Sequence, residues 1–365
     1  MAEVLRSGRL SLGPMLERFE RELAAWLGAD DAVAVSSGTA ALHLGVRALG
    51  WGRGDEVVTT PFSFVASANC LLYEDATPVF CDIDPITLEI DPGVVDAAVG
   101  ERTVGILPVD ILGYPAAIPA LVELSSRRGL GMLEDACEAL GAIDADGRRI
   151  GARGVAAALA FYPNKQLTTG EGGMLVPADP AMARLVRSER NQGRSPEMAF
   201  VDHARLGFNY RLSDVAAAVG VGQLERLDEL LAARARVAAA YGERLRELGT
   251  PAGEGDPDGL VLPCDDRGEE RRSWFVYAVR LPTAADRDAV IADLANRGIE
   301  AKAYMPSIHL MPHYRERFGF REGEFPVAED ASARLLSLPF FPTMTDEQVE
   351  RVFEALDETL SGSWI

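Results

Sequence analysis

The chain has 365 residues, 48% hydrophobic and 25% charged, which is typical of a globular protein with one large and one smaller domain. Its formal net charge of −20 disfavours nucleic acid and anionic membranes as partners. The sequence shows no signal peptide, no run that spans a membrane and no metal-ligand spacing around its four cysteines, which predicts a cytoplasmic protein with reduced thiols and no metal site.

Short apolar runs rich in β-branched residues alternate with segments of helical periodicity from about residue 32 to 177. The predicted strands are AVAV, EVVTT, TPVFCDI, VGILPV, GMLED, AALAFYP and GGMLVP, and the predicted helices are LHLGVRALG, FVASANCLLYED, PGVVDAAVG and IPALVELSSRRG. Asp91 followed by Pro92 is typical of a helix start, and Gly129 of a helix end. This α/β alternation predicts a mostly parallel sheet covered by helices, with ligands at the carboxyl ends of its strands.

The second half of the chain has a different pattern. The segment Arg211–Leu248 predicts one or two long helices, and residues 250–259, rich in Gly, Pro and acidic residues, predict a surface loop. The strand SWFVYAVRLP, the helix AADRDAVIADLANRG and the strand IEAKAYMP predict a smaller α+β domain, and Thr345 with Gln348 predicts a capping box before the last helix. We therefore expect a large domain over residues 1–240 and a small C-terminal domain over residues 241–365.

Two polar residues follow predicted strands and are candidates for catalysis. Lys165, in FYPNKQLTTGEGG, comes just past a buried strand, where desolvation would lower the pKa of its amine and make it a nucleophile; a solvated surface lysine is the alternative. Asp135 ends the run GMLED and suits either a buried cation, such as a protonated pyridine nitrogen, or the N-cap of a helix over ACEAL. The spacing alone leaves both pairs of alternatives open.

Three other segments contain candidate binding residues. Gly38, Thr39 and Ala40 begin a predicted helix after the strand AVAV, where backbone N–H groups suit a phosphate, although an ordinary βα turn has the same composition. Phe64 suits either stacking on a planar cofactor or a core position. His309, in YMPSIHLMPHY, is either a general acid or substrate ligand, or a loop histidine without such a role.

Taken in order, several long segments resemble one family, the DegT/DnrJ/EryC1/StrS sugar aminotransferases, over essentially the whole chain. They are SSGTAALHLG, GDEVVTTPFSFVASANC, PVFCDIDP, LEDACEALGA, FYPNKQLTTGEGGMLV, RLGFNYRLSDVAAA and YMPSIHLMPHY. The resemblance implies fold type I of the transferases that use pyridoxal 5′-phosphate (PLP), with pyridoxamine 5′-phosphate as the aminated cofactor. It also implies a homodimer with shared active sites, an amino donor that is glutamate or glutamine, and a nucleotide-linked keto sugar as acceptor.

The resemblance further implies roles for single residues near the cofactor. Lys165 matches the family's Schiff-base lysine, and Asp135 matches the carboxylate that pairs with the pyridinium nitrogen. Phe64 matches the aromatic residue that stacks on the ring. Gly38, Thr39 and Ala40 match the phosphate-binding turn.

Other matched positions concern the partner subunit and the substrate. Asn209 matches an asparagine that reaches the phosphate of the neighbouring subunit's cofactor, and Arg211 and His309 match positions that often contact the nucleotide sugar. Two positions depart from the usual pattern. Ala160 stands where many relatives carry a serine that contacts the phosphate, and Glu138 stands where many carry a glutamine beside the cofactor's phenolic oxygen.

Alternative functions follow from the same residues. A dehydratase branch of the fold has histidine in place of the lysine, so Lys165 argues against it. A non-catalytic regulator that binds a sugar nucleotide is disfavoured by Lys165 and Asp135 together. A cyclitol aminotransferase acting on a keto-inositol stays open. The choice of sugar depends on the loops Asn191–Ala204 and Ala303–Phe320, which the sequence alone does not interpret.

Overall fold

The computed structural model describes residues 1–115, 117–194 and 202–362, and its larger sheet has seven strands in the order β1-β7-β6-β5-β4-β2-β3. The strands are β1 (Val33–Val35), β2 (Glu56–Thr59), β3 (Thr77–Phe80), β4 (Thr103–Ile106), β5 (Gly131–Asp135), β6 (Ala156–Ala160) and β7 (Gly173–Val176). All seven strands predicted in this region are present. β7 is antiparallel to β1 and β6, and the other pairs are parallel, so six strands end at the same edge.

Helices follow most of these strands and bury their apolar faces against the sheet. They are α1 (Ala2–Ser7), α2 (Pro14–Leu27), α3 (Gly38–Ala48), α4 (Ala66–Leu72), α5 (Pro92–Ala98), α6 (Ile118–Arg128), α7 (Pro180–Glu189) and α8 (Asp214–Leu224). The strands read as continuous apolar runs because both faces of the sheet are buried. α3 lies especially close to the sheet, since a Cβ added to Gly45 would stand 2.7 Å from Leu133 Cδ1. That close approach fixes the start of α3 at the carboxyl edge.

The predicted helix caps are confirmed. Asp91 is the N-cap of α5, with Pro92 as the first helical residue, and its side chain accepts hydrogen bonds from two backbone N–H groups. Gly129 ends α6 in the left-handed region, at φ 67°. The backbone N–H of Thr345 donates to Gln348 Oε1 at 3.0 Å, and the backbone N–H of Gln348 donates to Thr345 Oγ1 at 3.3 Å, as a capping box requires.

The second sheet has five strands in the order β11-β12-β10-β9-β8. Its strands are β8 (Thr250–Pro251), β9 (Val261–Leu262), β10 (Tyr277–Arg280), β11 (Lys302–Ala303) and β12 (Leu335–Leu338). The remaining helices are α9 (Leu227–Leu245), α10 (Arg287–Asn296), α11 (Pro312–Phe318), α12 (Pro326–Arg334) and α13 (Asp346–Gly362). α9, α10 and α13 share a core cluster with this sheet, whereas Tyr314 of α11 packs against Phe80 of β3. The predicted strand–helix–strand order of β10, α10 and β11 is confirmed.

Two expectations for this half are refined. The long helical region consists of two helices, α8 and α9, and the predicted loop at 250–259 begins with β8, which pairs in parallel with β9. A two-residue strand has no sequence periodicity, which is why the loop composition concealed it. The proposed boundary at 240/241 falls inside α9, and it stays a prediction. In the described part of the chain, no helix combines the length and hydropathy that a membrane span requires.

We predict that Asp91→Ala lowers the free energy of unfolding by about 1 kcal/mol, because the first turn of α5 loses its side-chain cap. Chemical denaturation measures the change. Glu101→Ala, at an exposed turn residue after the same helix, is the matched control. Equal losses in the two variants would contradict the capping role.

Candidate active site

Asp135 ends β5 with its carboxylate turned into the protein, and the residue is 4% exposed. Ser67 Oγ donates to Asp135 Oδ2 at 2.6 Å, and the backbone N–H of Cys137 donates to Oδ1 at 3.2 Å. Ser63 Oγ lies 2.6 Å from Ser67 Oγ and donates to it, since the proton of Ser67 is directed to Asp135. Residues 136–140 form turns rather than a helix, so the helix N-cap alternative for Asp135 is wrong. The carboxylate is held rigidly at the strand end and is free to meet a cation.

Lys165 lies in the turn after β6, where its backbone N–H donates to Tyr162 O at 3.0 Å. Its side chain is only 13% exposed, with Nζ 3.6 Å from Glu138 Oε1. Nζ also lies 3.9 Å from the centroid of the Phe275 ring, within the range of a cation–π contact. The alternative of a solvated surface lysine is therefore wrong.

Glu138 is buried between the two halves of the chain and links them. Its Oε2 accepts from the backbone N–H of Leu112 at 3.0 Å, and its Oε1 accepts from the hydroxyl of Tyr304 at 2.8 Å. Burial raises the pKa of Glu138, and the nearby charge of Lys165 opposes this rise. Burial also raises the pKa of Tyr304, so its phenol keeps the proton that it donates.

The start of α3 lies directly against the end of β6. Ser37 is the N-cap, and its Oγ accepts from the backbone N–H of Ala40 at 3.1 Å. A Cβ added to Gly38 would stand 2.7 Å from Ala160 Cβ and 2.9 Å from Cys137 Sγ, so only glycine fits this contact without movement. Because the cap occupies the N–H of Ala40, the other N–H groups of the first turn, at Gly38 and Thr39, are the better donors for an anion.

Phe64 follows β2 and is 64% exposed, so the core alternative for this residue is wrong. The aromatic side chain lies one turn before Ser67, whose backbone N–H donates to Phe64 O at 3.1 Å. A large exposed ring offers a flat apolar face to a planar ligand.

Asn209 and Arg211 lie on an extended segment beside β1. The backbone N–H of Tyr210 donates to Arg190 O at 3.0 Å, and the backbone N–H of Ser36 donates to Tyr210 O at 2.8 Å, which leaves the side chain of Asn209 exposed. Arg211 Nη1 donates to Asn191 Oδ1 at 3.0 Å. Within the described residues, neither Asn209 nor Arg211 is hydrogen-bonded to Lys165. Of the expected specificity loop Asn191–Ala204, residues 195–201 lie outside the described residues.

His309 is 0% exposed and lies in a short 3-10 helix, Ile308–Leu310. Its Nε2 lies 3.0 Å from Glu329 Oε1, and its ring packs edge-on against Phe325. Among the described residues it forms no hydrogen bond with Lys165 or Asp135. The substrate-contact role for His309 stays a prediction.

Several residues of this site were not foreseen: Ser67, Phe275, Tyr304 and Arg234, the last of which contacts the backbone of Lys165. Nothing in their local sequence indicates that they meet Lys165 or Asp135. One further signal for Lys165 itself lay in the composition: of the 36 Lys and Arg residues, only two are lysines. The other lysine, Lys302, has a 72% exposed side chain paired with Glu300.

The fold is shared with solved PLP enzymes. The structure of S. venezuelae DesV in complex with ketimine intermediate superposes with a TM-score of 0.90 at 38% identity, covering 98% of this chain and 92% of that chain. NtdA from Bacillus subtilis, solved with bound cofactor PMP, gives a TM-score of 0.87 at 28% identity, covering 99% of this chain and 80% of that chain. The chain is accordingly a PLP-dependent aminotransferase of fold type I.

The match to a family of sequences is more particular. Residues 1–357 match the DegT/DnrJ/EryC1/StrS aminotransferase family, and the chain belongs to it. GDP-perosamine synthase of Caulobacter vibrioides (strain ATCC 19089 / CIP 103742 / CB 15) is 36% identical over 352 residues, covering 96% of this chain and 91% of that protein. These relatives place the chain among the sugar aminotransferases.

We predict that Glu138→Gln reduces the pH dependence of stability in the cofactor-free protein. The pKa of Glu138 is raised above its ordinary 4.5 in the folded state, so the folded protein binds this proton more tightly than the unfolded chain does. The free energy of unfolding should therefore fall as the pH rises above 4.5, and this contribution should vanish in the variant. Denaturation across pH measures it, with exposed Glu254→Gln as control. Parallel curves for wild type and Glu138→Gln would contradict the prediction.

Proposed function

We propose that the enzyme transfers an amino group from glutamate to the keto group of a nucleotide-linked deoxy sugar, with Lys165 as the residue that anchors PLP. The observation that supports this most strongly is the placement of Lys165. It is a partly buried amine at the carboxyl edge of the sheet, and it shares Glu138 as an electrostatic neighbour with Asp135. Lys165 follows β6 and Glu138 follows β5, so both lie at the carboxyl ends of parallel strands, where α/β sheets bind ligands.

The residues present fit PLP. The exposed ring of Phe64 suits the face of the pyridine ring, and the carboxylate of Asp135 suits its protonated nitrogen. The N–H groups of Gly38 and Thr39 at the start of α3 suit the phosphate, because the helix dipole favours an anion there. When bound, PLP supplies an electrophilic carbonyl and a ring that withdraws electrons from the reacting carbon.

The chain's own residues then position charges and move protons. Nζ of Lys165, freed when the amino donor binds, takes the proton from the donor's Cα atom and, in the second half of the reaction, returns a proton to the sugar carbon that receives nitrogen. Asp135, oriented by Ser67, would pair with the protonated ring nitrogen and so stabilise its positive charge. Glu138 and Phe275 hold the amine of Lys165 on one side of the site. The low exposure of Lys165 limits water at the reacting atoms.

A nucleotide-linked acceptor is supported by the available positive charge. In a chain of net charge −20, an anionic substrate needs a local cation. Arg211 is hydrogen-bonded to the neutral amide of Asn191, and in the described part of the chain no carboxylate pairs with it, so its guanidinium is suited to a diphosphate. The name of the relative GDP-perosamine synthase refers to a nucleotide-linked sugar. We also propose that His309, which is paired with Glu329, contacts the nucleotide sugar.

A homodimer with shared sites is part of the proposal. The backbone on both sides of Asn209 is fixed by hydrogen bonds, and the residue is exposed. We propose that Asn209 donates to the phosphate of the cofactor held by the partner subunit.

We predict that Lys165→Ala lowers the rate of the half-reaction with glutamate by at least about a hundredfold, because the general base is lost. Stopped-flow absorbance of the bound cofactor measures this rate. Lys302→Ala, which removes the other lysine of the chain, is the matched control and should react like wild type. Borohydride reduction and peptide mapping should modify residue 165 alone.

The acceptor is tested in the same assay, by adding keto-sugar nucleotides to the pyridoxamine form and watching the cofactor absorbance return. The same keto sugars without the nucleotide, and a keto-inositol, are the comparison. If the cofactor absorbance returns with the keto-inositol but with none of the sugar nucleotides, the proposed acceptor class is overturned. Wild-type turnover by Lys165→Ala would overturn the whole assignment.

We predict that Ala160→Ser slows cofactor loss, by about tenfold, since a hydroxyl beside the start of α3 adds a hydrogen bond to a charged group. Ala160 lies beside Gly38, because a Cβ added to Gly38 would stand 2.7 Å from Ala160 Cβ. A hydroxyl added at residue 160 is therefore close to the proposed phosphate site at the start of α3. Gel filtration followed by absorbance measures retained PLP. Ala160→Val adds volume without a donor and should not slow the loss; equal retention in the two variants would contradict the prediction.

A further inference from the structure

Arg234, on α9, is a buried cation that lies over the ring of Phe340 and, among the described residues, donates its hydrogen bonds only to backbone carbonyls. Its Nη1 donates to Trp274 O at 3.2 Å and to Phe275 O at 3.1 Å. Its Nη2 donates to Asn164 O and Lys165 O, each at 3.2 Å. In the described residues, no carboxylate pairs with its guanidinium. One side chain therefore joins the backbone of the Lys165 turn to the backbone of residues 274–275.

The second segment touches Lys165 directly. The ring of Phe275 lies under Nζ of Lys165, 3.9 Å from its centroid, so the same residue is joined to Lys165 through both its ring and, by way of Arg234, its carbonyl. Trp274 adopts φ 53°, a left-handed conformation that is strained for a large side chain. The hydrogen bond from Arg234 to Trp274 O helps to hold this backbone conformation and thereby the orientation of the neighbouring Phe275 ring.

The burial of Arg234 is costly, which argues that it serves more than packing. Burial lowers the pKa of Arg234 to about 10, so the side chain is still charged at neutral pH. A planar guanidinium can reach four carbonyls on two segments in one plane, whereas an ammonium or an apolar side chain of similar length cannot. Removing it takes a donor from carbonyls on both segments, and of these bonds the one to Phe275 O is fully buried.

We propose that Arg234 is a positioning residue for Lys165, which it holds against the face of Phe275 by linking the backbones of the two residues. The inference rests on the proposed function of Lys165. A turn that loses this link loosens, and a displacement of the reacting amine by about 1 Å is enough to cost about a hundredfold in rate.

The experiment uses cofactor-loaded wild type, Arg234→Met, Arg234→Lys and Phe275→Leu. Arg236→Met is the matched control, because Arg236 lies on the same helix with a half-exposed side chain and contacts carbonyls near the end of β12 instead. Three quantities are measured: kcat and KM for the glutamate half-reaction, the visible circular dichroism of the bound cofactor, and hydrogen exchange of residues 161–170. Thermal unfolding reports whether each variant is folded.

If Arg234 positions Lys165, Arg234→Met lowers kcat by at least about tenfold with KM for glutamate changed less than about twofold, since alignment and not binding is lost. The visible circular dichroism weakens and exchange at residues 161–170 speeds up, while Arg236→Met matches wild type in all three. Arg234→Lys keeps the positive charge but lacks the forked guanidinium, so its kcat, circular dichroism and hydrogen exchange stay closer to those of Arg234→Met than to those of wild type. Phe275→Leu weakens the circular dichroism without speeding exchange, because it removes the ring and keeps the backbone link.

Wild-type kcat, circular dichroism and exchange in a folded Arg234→Met would overturn the inference. Should Arg234→Met not fold, Arg234→Lys decides, and wild-type values in that variant would overturn it equally. Failure of the proposed function looks different, since it would show as glutamate turnover that survives Lys165→Ala whatever the Arg234 variants do.

Discussion

The site depends on keeping the amine of Lys165 largely out of water. A charged group in a partly buried position is stable only while other groups replace its hydration. Glu138, from the turn after β5, and the ring of Phe275, from the segment before β10, contact the amine, while Arg234 on α9 ties the backbone of Lys165 to that segment. Groups from both halves of the chain thus meet at the lysine.

The carboxyl edge of the larger sheet provides the other side of the site. Asp135 depends on β5 for its position and on Ser67 for its orientation, while the start of α3 depends on Gly38 and Gly45, which let the helix approach β6 and β5. The side chains that face a ligand here are few. They are supported by glycines and small hydroxyl residues that would attract no notice on chemical grounds alone.

The sequence predicted the large sheet well, because buried parallel strands and their helices have strong periodic patterns, and the caps at Asp91, Gly129 and Thr345 have local chemistry that identifies them. It predicted less of the smaller sheet, since strands of two residues, such as β8 and β9, have no period. Lys165 and Asp135 were ambiguous by spacing and gained their assignment from a family resemblance. Ser67, Tyr304 and Arg234 could not be found from one sequence, because their partners lie 68, 166 and 69 residues away along the chain.

α9 has a mechanical consequence for the enzyme. It is an unbroken helix of 19 residues, about 28 Å long at ordinary helical rise, and it packs in the core of the larger sheet at Leu227 and in the second core cluster at Tyr241 and Leu245. Because a bend at residue 240 would break helical hydrogen bonds, α9 resists bending there. A rigid-body rotation of the smaller sheet relative to the larger one would therefore occur about an end of α9. Arg234 lies within α9, so such a rotation would also move Arg234.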